Sequence, residues 1–148
     1  MRLVLGSDHA GFALKEAVKA LLADEGHAVV DVGCDSPERA DYPPFAAAAA
    51  RLVAGKEADL GVLVCGSGVG VAIAANKVAG VRAVNAHAPD EAEMARRHND
   101  ANVVTLAGGS LEPDAAHAIV RAFLATDFEG GRHARRVEQI GEIEDARG

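Results

Sequence analysis

The segment Leu60-Gly61-Val62-Leu63-Val64-Cys65-Gly66-Ser67-Gly68-Val69-Gly70 decides the fold. Its apolar first half predicts a buried strand that ends at Cys65, and the glycines predict a loop that leads into a helix over about 71–77. Such a loop exposes backbone N–H groups, and a helix N-terminus adds partial positive charge, so an anion is favoured there. Cys65 stands at the edge of this loop, where the same field would favour a thiolate. The segment therefore predicts an oxyanion cradle with a candidate base or nucleophile beside it.

The rest of the chain alternates between strand-like apolar runs and segments of helical spacing. Further strands are predicted at 2–6, 27–33, 81–84 and 103–106, and helices at about 12–25, 43–53, 89–97, 113–124 and 133–144. This alternation predicts a five-stranded parallel sheet covered on both faces, a Rossmann-like three-layer α/β fold in a single domain of residues 1–148. The last helix lies outside the minimal α/β unit, and we expect it to reach across to a partner subunit.

Composition excludes several classes of protein. A formal net charge of −7 and only one Tyr argue against a nucleic-acid binder. No apolar run approaches the ~20 residues that cross a bilayer, and no signal peptide is apparent, so neither membrane partners nor secretion are predicted. The two cysteines, Cys34 and Cys65, form no repeated framework, which favours a reducing, cytoplasmic compartment.

Ligands of parallel α/β sheets bind beyond the carboxyl ends of the strands. The exit loops at Asp8-His9 and at 65–70 are therefore predicted neighbours, with His87 a further candidate after the fourth strand. The segment His98-Asn99-Asp100 is also expected to converge on this site. The alternative for Asp8 is a helix-capping turn, and the alternative for 98–100 is an ordinary helix C-cap.

A basic cluster opens the last helix: Arg132, His133, Arg135 and Arg136. Arg132 and Arg136 are four residues apart, hence on one helix face, and arginine can hold a phosphate through two hydrogen bonds. The alternative is a solvated face in which these cations pair with Glu129 and Glu138.

Other kinds of site are not indicated. The glycine loop lacks the spacing of a nucleotide P-loop and is not a dinucleotide fingerprint after the first strand. The cysteines are 31 positions apart and no histidine pair has ligand spacing on one helix, so neither a metal nor another cofactor is predicted. Cys34, His27 and His117 are interpreted as structural.

Seven motifs in order resemble ribose-5-phosphate isomerase type B, in the family that also contains the galactose-6-phosphate isomerase subunits. The resemblance runs nearly end to end. The motifs are Gly6-Ser7-Asp8-His9-Ala10-Gly11-Phe12, Asp41-Tyr42-Pro43, Cys65-Gly66-Ser67-Gly68-Val69-Gly70, Ala74-Ala75-Asn76-Lys77, Gly80-Val81-Arg82-Ala83, Arg97-His98-Asn99-Asp100-Ala101-Asn102 and Glu129-Gly130-Gly131-Arg132-His133.

This resemblance implies a cofactor-free interconversion of ribose 5-phosphate and ribulose 5-phosphate through an enediolate. It implies that Cys65 is the base, that Ser67 moves protons at the sugar oxygens, and that His98 with Asp8 assists ring opening. The implied substrate-binding residues are His9, Tyr42, Gly66, Gly68, Val69, Gly70, Asn99, Arg132 and Arg136. It also implies a homodimer, or a dimer of dimers, in which one subunit supplies the 98–99 segment to its partner's site.

The chain departs from the family pattern at the exit of the fifth strand. Residues 107–111, Ala-Gly-Gly-Ser-Leu, lack an arginine that the family often carries there. Either two arginines suffice, or the substrate is another aldose phosphate of four or six carbons. A non-catalytic sugar-phosphate-binding subunit is the remaining alternative, against which the intact set of Cys65, Ser67 and His98 argues. Val71 stands where another branch of the family has a glutamate base.

Overall fold

A computed structural model describes residues 1–147 of the chain. Five strands alternate with five helices, and a sixth helix follows. The strands are β1 (Arg2–Ser7), β2 (Ala28–Asp31), β3 (Leu60–Cys65), β4 (Ala83–Asn85) and β5 (Val103–Ala107). The helices are α1 (Phe12–Asp24), α2 (Tyr42–Ala54), α3 (Val69–Ala75), α4 (Pro89–Asn99), α5 (Pro113–Ala125) and α6 (Arg132–Ala146).

All strand pairs are parallel, in the order β2-β1-β3-β5-β4. The predicted three-layer α/β fold is confirmed. Strand β3 lies at the centre of the sheet and is buried at every position, because helices cover both of its faces. Its last residue, Cys65, pairs with Ala107 of β5, so the exits of these two strands lie side by side.

The two faces of the sheet pack against different helices. Buried apolar side chains of α1, α4 and α5 cover one face, and those of α2 and α3 cover the other. In α2 the alanine run packs closely on the sheet, since Ala46, Ala49 and Ala50 are fully buried. Helix α6 contributes only His133 to the buried residues and so forms an outer element.

Two strands differ from their predicted bounds. Strand β2 is an edge strand and spans only part of the predicted 27–33. Strand β4 begins at Ala83 rather than at Val81, because the Arg82 N–H donates to the side chain of Asn102 instead of to a neighbouring strand.

The largest fully buried side chain belongs to Lys15 of α1. Its ammonium group donates to both carboxylate oxygens of Asp31 at the end of β2, at 2.8 and 2.7 Å. Lys19 donates to the same carboxylate at 2.8 Å. Burial alone would raise the pKa of Asp31, but the hydrogen bonds from the two lysines and from the Gly33 N–H outweigh it and lower that pKa. The ion pair thus ties α1 to the edge of the sheet.

Both cysteines carry free thiols. Among the described residues 1–147, no helix combines the length and apolar character that crossing a membrane requires.

Candidate active site

The exits of β1, β3 and β5 are joined at the carboxyl edge of the sheet. The Asp8 N–H donates to the Val64 carbonyl at 3.3 Å, and the Gly108 N–H donates to the Cys65 carbonyl at 2.7 Å. A side chain at Gly108 would lie about 3.0 Å from the Ala10 carbonyl, so only glycine lets these loops approach so closely. The predicted contact between the first and third exit loops is therefore present.

Cys65 lies within its own glycine loop. Its side chain is only 4% exposed, and its Sγ accepts a hydrogen bond from the Gly68 N–H at 3.2 Å. The neighbouring N–H groups of Ser67, Gly70 and Val71 bond to no other group in residues 1–147. A sulfur atom and several free amide donors therefore share one small loop, which is the arrangement that an enediolate and its base require.

Two polar side chains, from β5 and β4, donate hydrogen bonds to carbonyl groups of this loop. The Thr105 hydroxyl, buried in β5, donates to the Gly68 carbonyl at 2.7 Å. The Asn85 amide at the end of β4 donates to the Ser67 carbonyl at 3.1 Å. Gly68 has a positive φ of 77°, and a Cβ there would collide with Asn85. The loop conformation is thus fixed by side chains of β5 and β4.

Ser67 and Tyr42 flank the loop on its open side. Ser67 is exposed, and its hydroxyl accepts a hydrogen bond from the Val69 N–H at 3.2 Å. The ring of Tyr42, the first residue of α2, packs against Gly70, where a Cβ would lie about 2.6 Å from the ring. Both side chains are placed to contact a ligand that occupies the cradle.

Asp8 and His9 follow β1 on the same edge. Asp8 is buried and its Oδ1 accepts the Gly11 N–H at 3.0 Å, so it closes the turn before α1, but it is neither solvated nor a side-chain cap of that helix. His9 Nδ1 lies 3.2 Å from the Ala40 backbone nitrogen and 3.1 Å from the Ala40 carbonyl oxygen, so the backbone of residue 40 fixes the position of this ring. His87, by contrast, is exposed and lies near Glu91 at 3.5 Å, while Asn85 is the β4 residue that contacts the loop.

We refer to Asp8, His9, Tyr42, Cys65 and Ser67 as the carboxyl-edge group. His98 and Asn99 do not belong to it within one chain. They end α4 just before β5 begins, and the side chain of Arg82, which precedes β4, donates to the Asn99 carbonyl at 2.9 Å. They therefore lie at the amino edge of the sheet. The length of a strand, roughly 13 Å at ~3.3 Å per residue, separates that edge from Cys65. Within one chain, residues 98–100 do not reach the Cys65 loop, because a helix that returns between parallel strands ends at the opposite edge. Their convergence on the Cys65 loop of a partner subunit stays a prediction.

His98 lies instead in a second group, with Glu129 and His133. The imidazole rings of His98 and His133 stack with centroids 4.2 Å apart and an angle of 12° between their planes. Glu129 Oε2 lies 3.9 Å from His98 Nε2. Burial, then the neighbouring His98 and Arg132, lowers the pKa of His133, with Glu129 acting in the opposite direction.

Arg132 and Arg136 begin α6 beside this pair. With Arg135 and Gln139 they line an open groove of about 400 Å³. Within the described part of the chain, none of these arginines forms an ion pair, so the alternative in which they pair with Glu129 and Glu138 is not found. Unpaired guanidinium groups in one groove are suited to an anionic ligand. We refer to His98, Asn99, Arg132 and Arg136 as the amino-edge group.

Four residues contact the two groups without having been given a role there by the sequence patterns. Thr105 is the one polar residue in an apolar strand, and Asn85 ends another strand, so both carried a weak signal. No sequence signal indicated that Glu129 and His133 lie near His98, because both are distant from it along the chain. Their contact depends on the angle at which α6 leaves Gly130-Gly131.

Comparisons with known proteins identify the family of this chain. Residues 3–140 match the family model described as Ribose/Galactose Isomerase. The chain is 47% identical over 146 residues to ribose-5-phosphate isomerase B of Escherichia coli K12, covering 99% of this chain and 98% of that protein. The solved structure of Clostridium thermocellum ribose-5-phosphate isomerase B superposes with a TM-score of 0.98 at 42% identity, covering 100% of both chains. That of ribose-5-phosphate isomerase B from Mycoplasma genitalium with bound ribulose-5-phosphate has a TM-score of 0.93 at 40% identity, covering 97% of this chain and 96% of that one. The chain belongs to the ribose/galactose isomerase family.

Proposed function

We propose that this protein is an aldose–ketose isomerase that interconverts ribose 5-phosphate and ribulose 5-phosphate. The observation that carries the proposal is the hydrogen bond from Gly68 N–H to Cys65 Sγ inside a loop whose Ser67 and Gly70 amides are free. Family membership supports the reaction class, and the Mycoplasma genitalium relative with bound ribulose-5-phosphate supports the substrate. The chemistry needs a base, an oxyanion cradle and a remote phosphate handle, all of which this chain can supply without a cofactor.

In the proposed mechanism, the Cys65 thiolate removes the proton from C2 of the open-chain aldose. The electron pair moves to form the C1–C2 double bond, and the negative charge on the former aldehyde oxygen is held by the amides of 66–70. Ser67 moves the proton between the two sugar oxygens. Cys65 then returns its proton to C1, which completes the ketose and restores the thiolate.

The remaining predicted residues bind and prepare the sugar phosphate. His98, with Asp8, assists opening of the ring, and Tyr42 and Asn99 line the sugar. His9, Arg132 and Arg136 bind the phosphate, which lies remote from the reacting carbons so that its binding energy can orient them. Val69 and the glycines 66, 68 and 70 shape the cradle.

We further propose that the site forms between two subunits of a cytoplasmic homodimer. The carboxyl-edge group and the amino-edge group lie at opposite edges of one sheet, yet the mechanism needs both. Exposed apolar side chains lie next to each group: Val69 and Ile73 on α3 are 49% and 56% exposed, and Ile140 and Ile143 on α6 are 38% and 63% exposed. Pairing these surfaces across a two-fold axis would bury apolar area and bring the groups together.

The test is turnover on a panel of four-, five- and six-carbon aldose phosphates, compared by kcat/KM. Ribose 5-phosphate is expected to be the best substrate. A six-carbon sugar phosphate is the second candidate, because residues 107–111 lack the family's additional arginine and so leave more room near the phosphate. Absence of turnover on every sugar, with binding retained, would instead identify a non-catalytic sugar-phosphate-binding subunit.

A further inference from the structure

Three potential metal ligands meet at the amino edge, from elements that are far apart in sequence. His98 ends α4, Glu129 lies in the connection after α5, and His133 is in the first turn of α6. One ligand atom from each side chain lies within 4.8 Å of the other two. The proposed reaction uses His98 and requires neither Glu129 nor His133.

His133 provides an independent indication that this cluster receives a ligand. Its side chain is only 6% exposed, and its Nε2 atom has no hydrogen-bond partner anywhere in residues 1–147. A buried polar atom without a partner costs about 1–3 kcal/mol, so native proteins rarely retain one without a reason. An unprotonated imidazole nitrogen offers a lone pair, which is the form of histidine that binds a metal ion.

Glu129 supplies the negative charge of this cluster, with its carboxylate 3.9 Å from His98 Nε2 and 3.9 Å from Arg97 Nε. The arginines of α6 line a groove with Gln139, and the charges of Arg132 and Arg136 also act on the imidazole of His133. Two imidazoles and one carboxylate are a donor set that Zn²⁺ and Co²⁺ accept, with a fourth position left for water or substrate.

We propose that His98, Glu129 and His133 form a binding site for a divalent transition-metal ion such as Zn²⁺. Atoms bound to one zinc ion lie about 3–4 Å apart, since each bond is about 2 Å long. The three ligand atoms need to approach by about 1 Å, and the stacked rings must turn so that their lone pairs converge. The side chains of His98 and Glu129 are 29% and 52% exposed and have room for this movement.

Occupation of this site inhibits the isomerase, a consequence that rests on the proposed function. A metal ion on His98 withdraws the imidazole from ring opening and places a positive charge beside the phosphate groove, where substrate could be held in an unproductive position. The isomerase reaction itself proceeds without the ion, so removing the metal is expected to raise activity and not to abolish it.

Binding is tested directly on the metal-free full chain, by titration with ZnCl₂ in a calorimeter and with CoCl₂ in a spectrophotometer. Tetrahedral Co²⁺ coordinated by histidine gives visible absorption bands that free Co²⁺ lacks. His133→Ala and Glu129→Gln are each expected to weaken binding by at least about 10-fold, as disturbing even the outer partners of metal ligands does. Circular dichroism establishes that each variant is folded.

Two controls separate this site from other metal-binding groups. His87→Ala removes a histidine that has one carboxylate neighbour, Glu91, and it should bind like the unaltered chain. Cys65→Ser removes the loop thiol and should also retain binding. Unchanged affinity in both His133→Ala and Glu129→Gln, or no binding by the unaltered chain at 100-fold molar excess of metal, would overturn the proposal.

Inhibition is tested by measuring turnover with added ZnCl₂ and then with excess EDTA. The unaltered enzyme is expected to lose activity and regain it, and Glu129→Gln is expected to require at least about 10-fold more zinc for the same fractional loss. If zinc inhibits both proteins equally, the inhibitory role is wrong. If the chain has no turnover on any sugar but the cobalt spectrum still depends on His133 and Glu129, the proposed function has failed and the metal site stands.

Discussion

The amide of Gly68 donates a hydrogen bond to Sγ of Cys65 at 3.2 Å. An N–H group directed at sulfur interacts more strongly with a thiolate than with a thiol, because hydrogen bonds to charged acceptors are stronger. The same turn of backbone that carries Gly68 presents the free amides of Ser67 and Gly70. The proposed base and the proposed oxyanion cradle are therefore one structural unit, and a change to the loop should affect both.

Cys65→Ala should lower kcat by about 10²-fold or more, the usual scale of general acid–base catalysis, with little change in substrate affinity. Steady-state kinetics with ribose 5-phosphate and calorimetric binding measure the two effects. Cys34→Ala is the matched control, since Cys34 is also a buried thiol but donates to the Ser36 carbonyl in another loop. Near-normal turnover by the Cys65 variant would refute the assignment of Cys65 as the base.

Thr105→Val should weaken the support of the glycine loop by removing the hydrogen bond from the Thr105 hydroxyl. It leaves the Gly68 carbonyl without its 2.7 Å partner, which should lower the free energy of unfolding by about 1–3 kcal/mol. We expect kcat to fall about 10-fold, a loss of about 1.4 kcal/mol in the transition state, with a smaller change in KM. Thr126→Val is the control, because its hydroxyl makes a similar 2.7 Å bond to Ala122 within a helix. Equal kinetic effects of the two changes would show that Thr105 acts only on stability.

Mixing inactive Cys65→Ala chains with inactive His98→Ala chains should restore activity. In a two-fold dimer with shared sites, each mixed dimer has one intact site and one that lacks both residues. Random exchange at equal amounts makes half the dimers mixed, so about a quarter of the original sites should be active. Native mass spectrometry of differently tagged chains would verify exchange. No recovery after verified exchange would place all the catalytic residues in one chain.

Arg132→Ala and Arg136→Ala should each mainly raise KM for phosphorylated sugars. Loss of a charge-assisted hydrogen bond costs on the order of 2–3 kcal/mol, which corresponds to a KM increase of roughly 30- to 150-fold. Part of that binding orients the sugar, so a smaller decrease in kcat is also expected. Arg121→Ala, which removes an exposed arginine paired with Glu25, is the control.

The role of these arginines is tested by comparing how each variant binds ribose 5-phosphate and unphosphorylated ribose. Binding of the unphosphorylated sugar should be unchanged in both variants. If the two sugars are weakened equally, or neither is, the arginines form a solvated surface and the phosphate is bound elsewhere.

Asp31→Asn should destabilise the fold strongly, since it leaves the buried ammonium of Lys15 with only the more distant carboxylate of Glu16, at 3.4 Å. Breaking such a buried pair costs about 3–5 kcal/mol. The native pKa of Asp31 is lowered, so its ionised form contributes stability that is complete above the unfolded value of about 4. That contribution is lost as the pH falls through the lowered native pKa.

Urea unfolding at pH 7 and at pH 3 measures this contribution. The difference in stability between the unaltered chain and Asp31→Asn should be large at pH 7 and smaller at pH 3. Glu25→Gln is the control, because it removes a surface pair with Arg121 that is worth about 0.2–1 kcal/mol. A difference that does not change between the two pH values would contradict the ion-pair explanation.

The central strand and its loop could be predicted because the decisive residues are contiguous. The buried run 60–65 and the glycines after it specify strand, turn and helix without help from distant residues. The insertion of β5 between β3 and β4 could not be predicted in this way, since it depends on how α4 packs. Stacking of His133 on His98 likewise depends on the direction of α6. The position of His98 at the amino edge does follow from a parallel sheet, because a helix returns to the edge where the next strand begins.

Because the carboxyl-edge group and the amino-edge group lie at opposite edges of one sheet, activity should depend on protein concentration. Under the proposed arrangement, a single subunit carries half of each of two sites and no complete site. A folded monomer is therefore catalytically inactive. Below the dimer dissociation constant, the number of working sites grows with the square of the subunit concentration. A cell that makes little of this protein would therefore have disproportionately little isomerase, and halving expression near that threshold would cut flux by up to about fourfold.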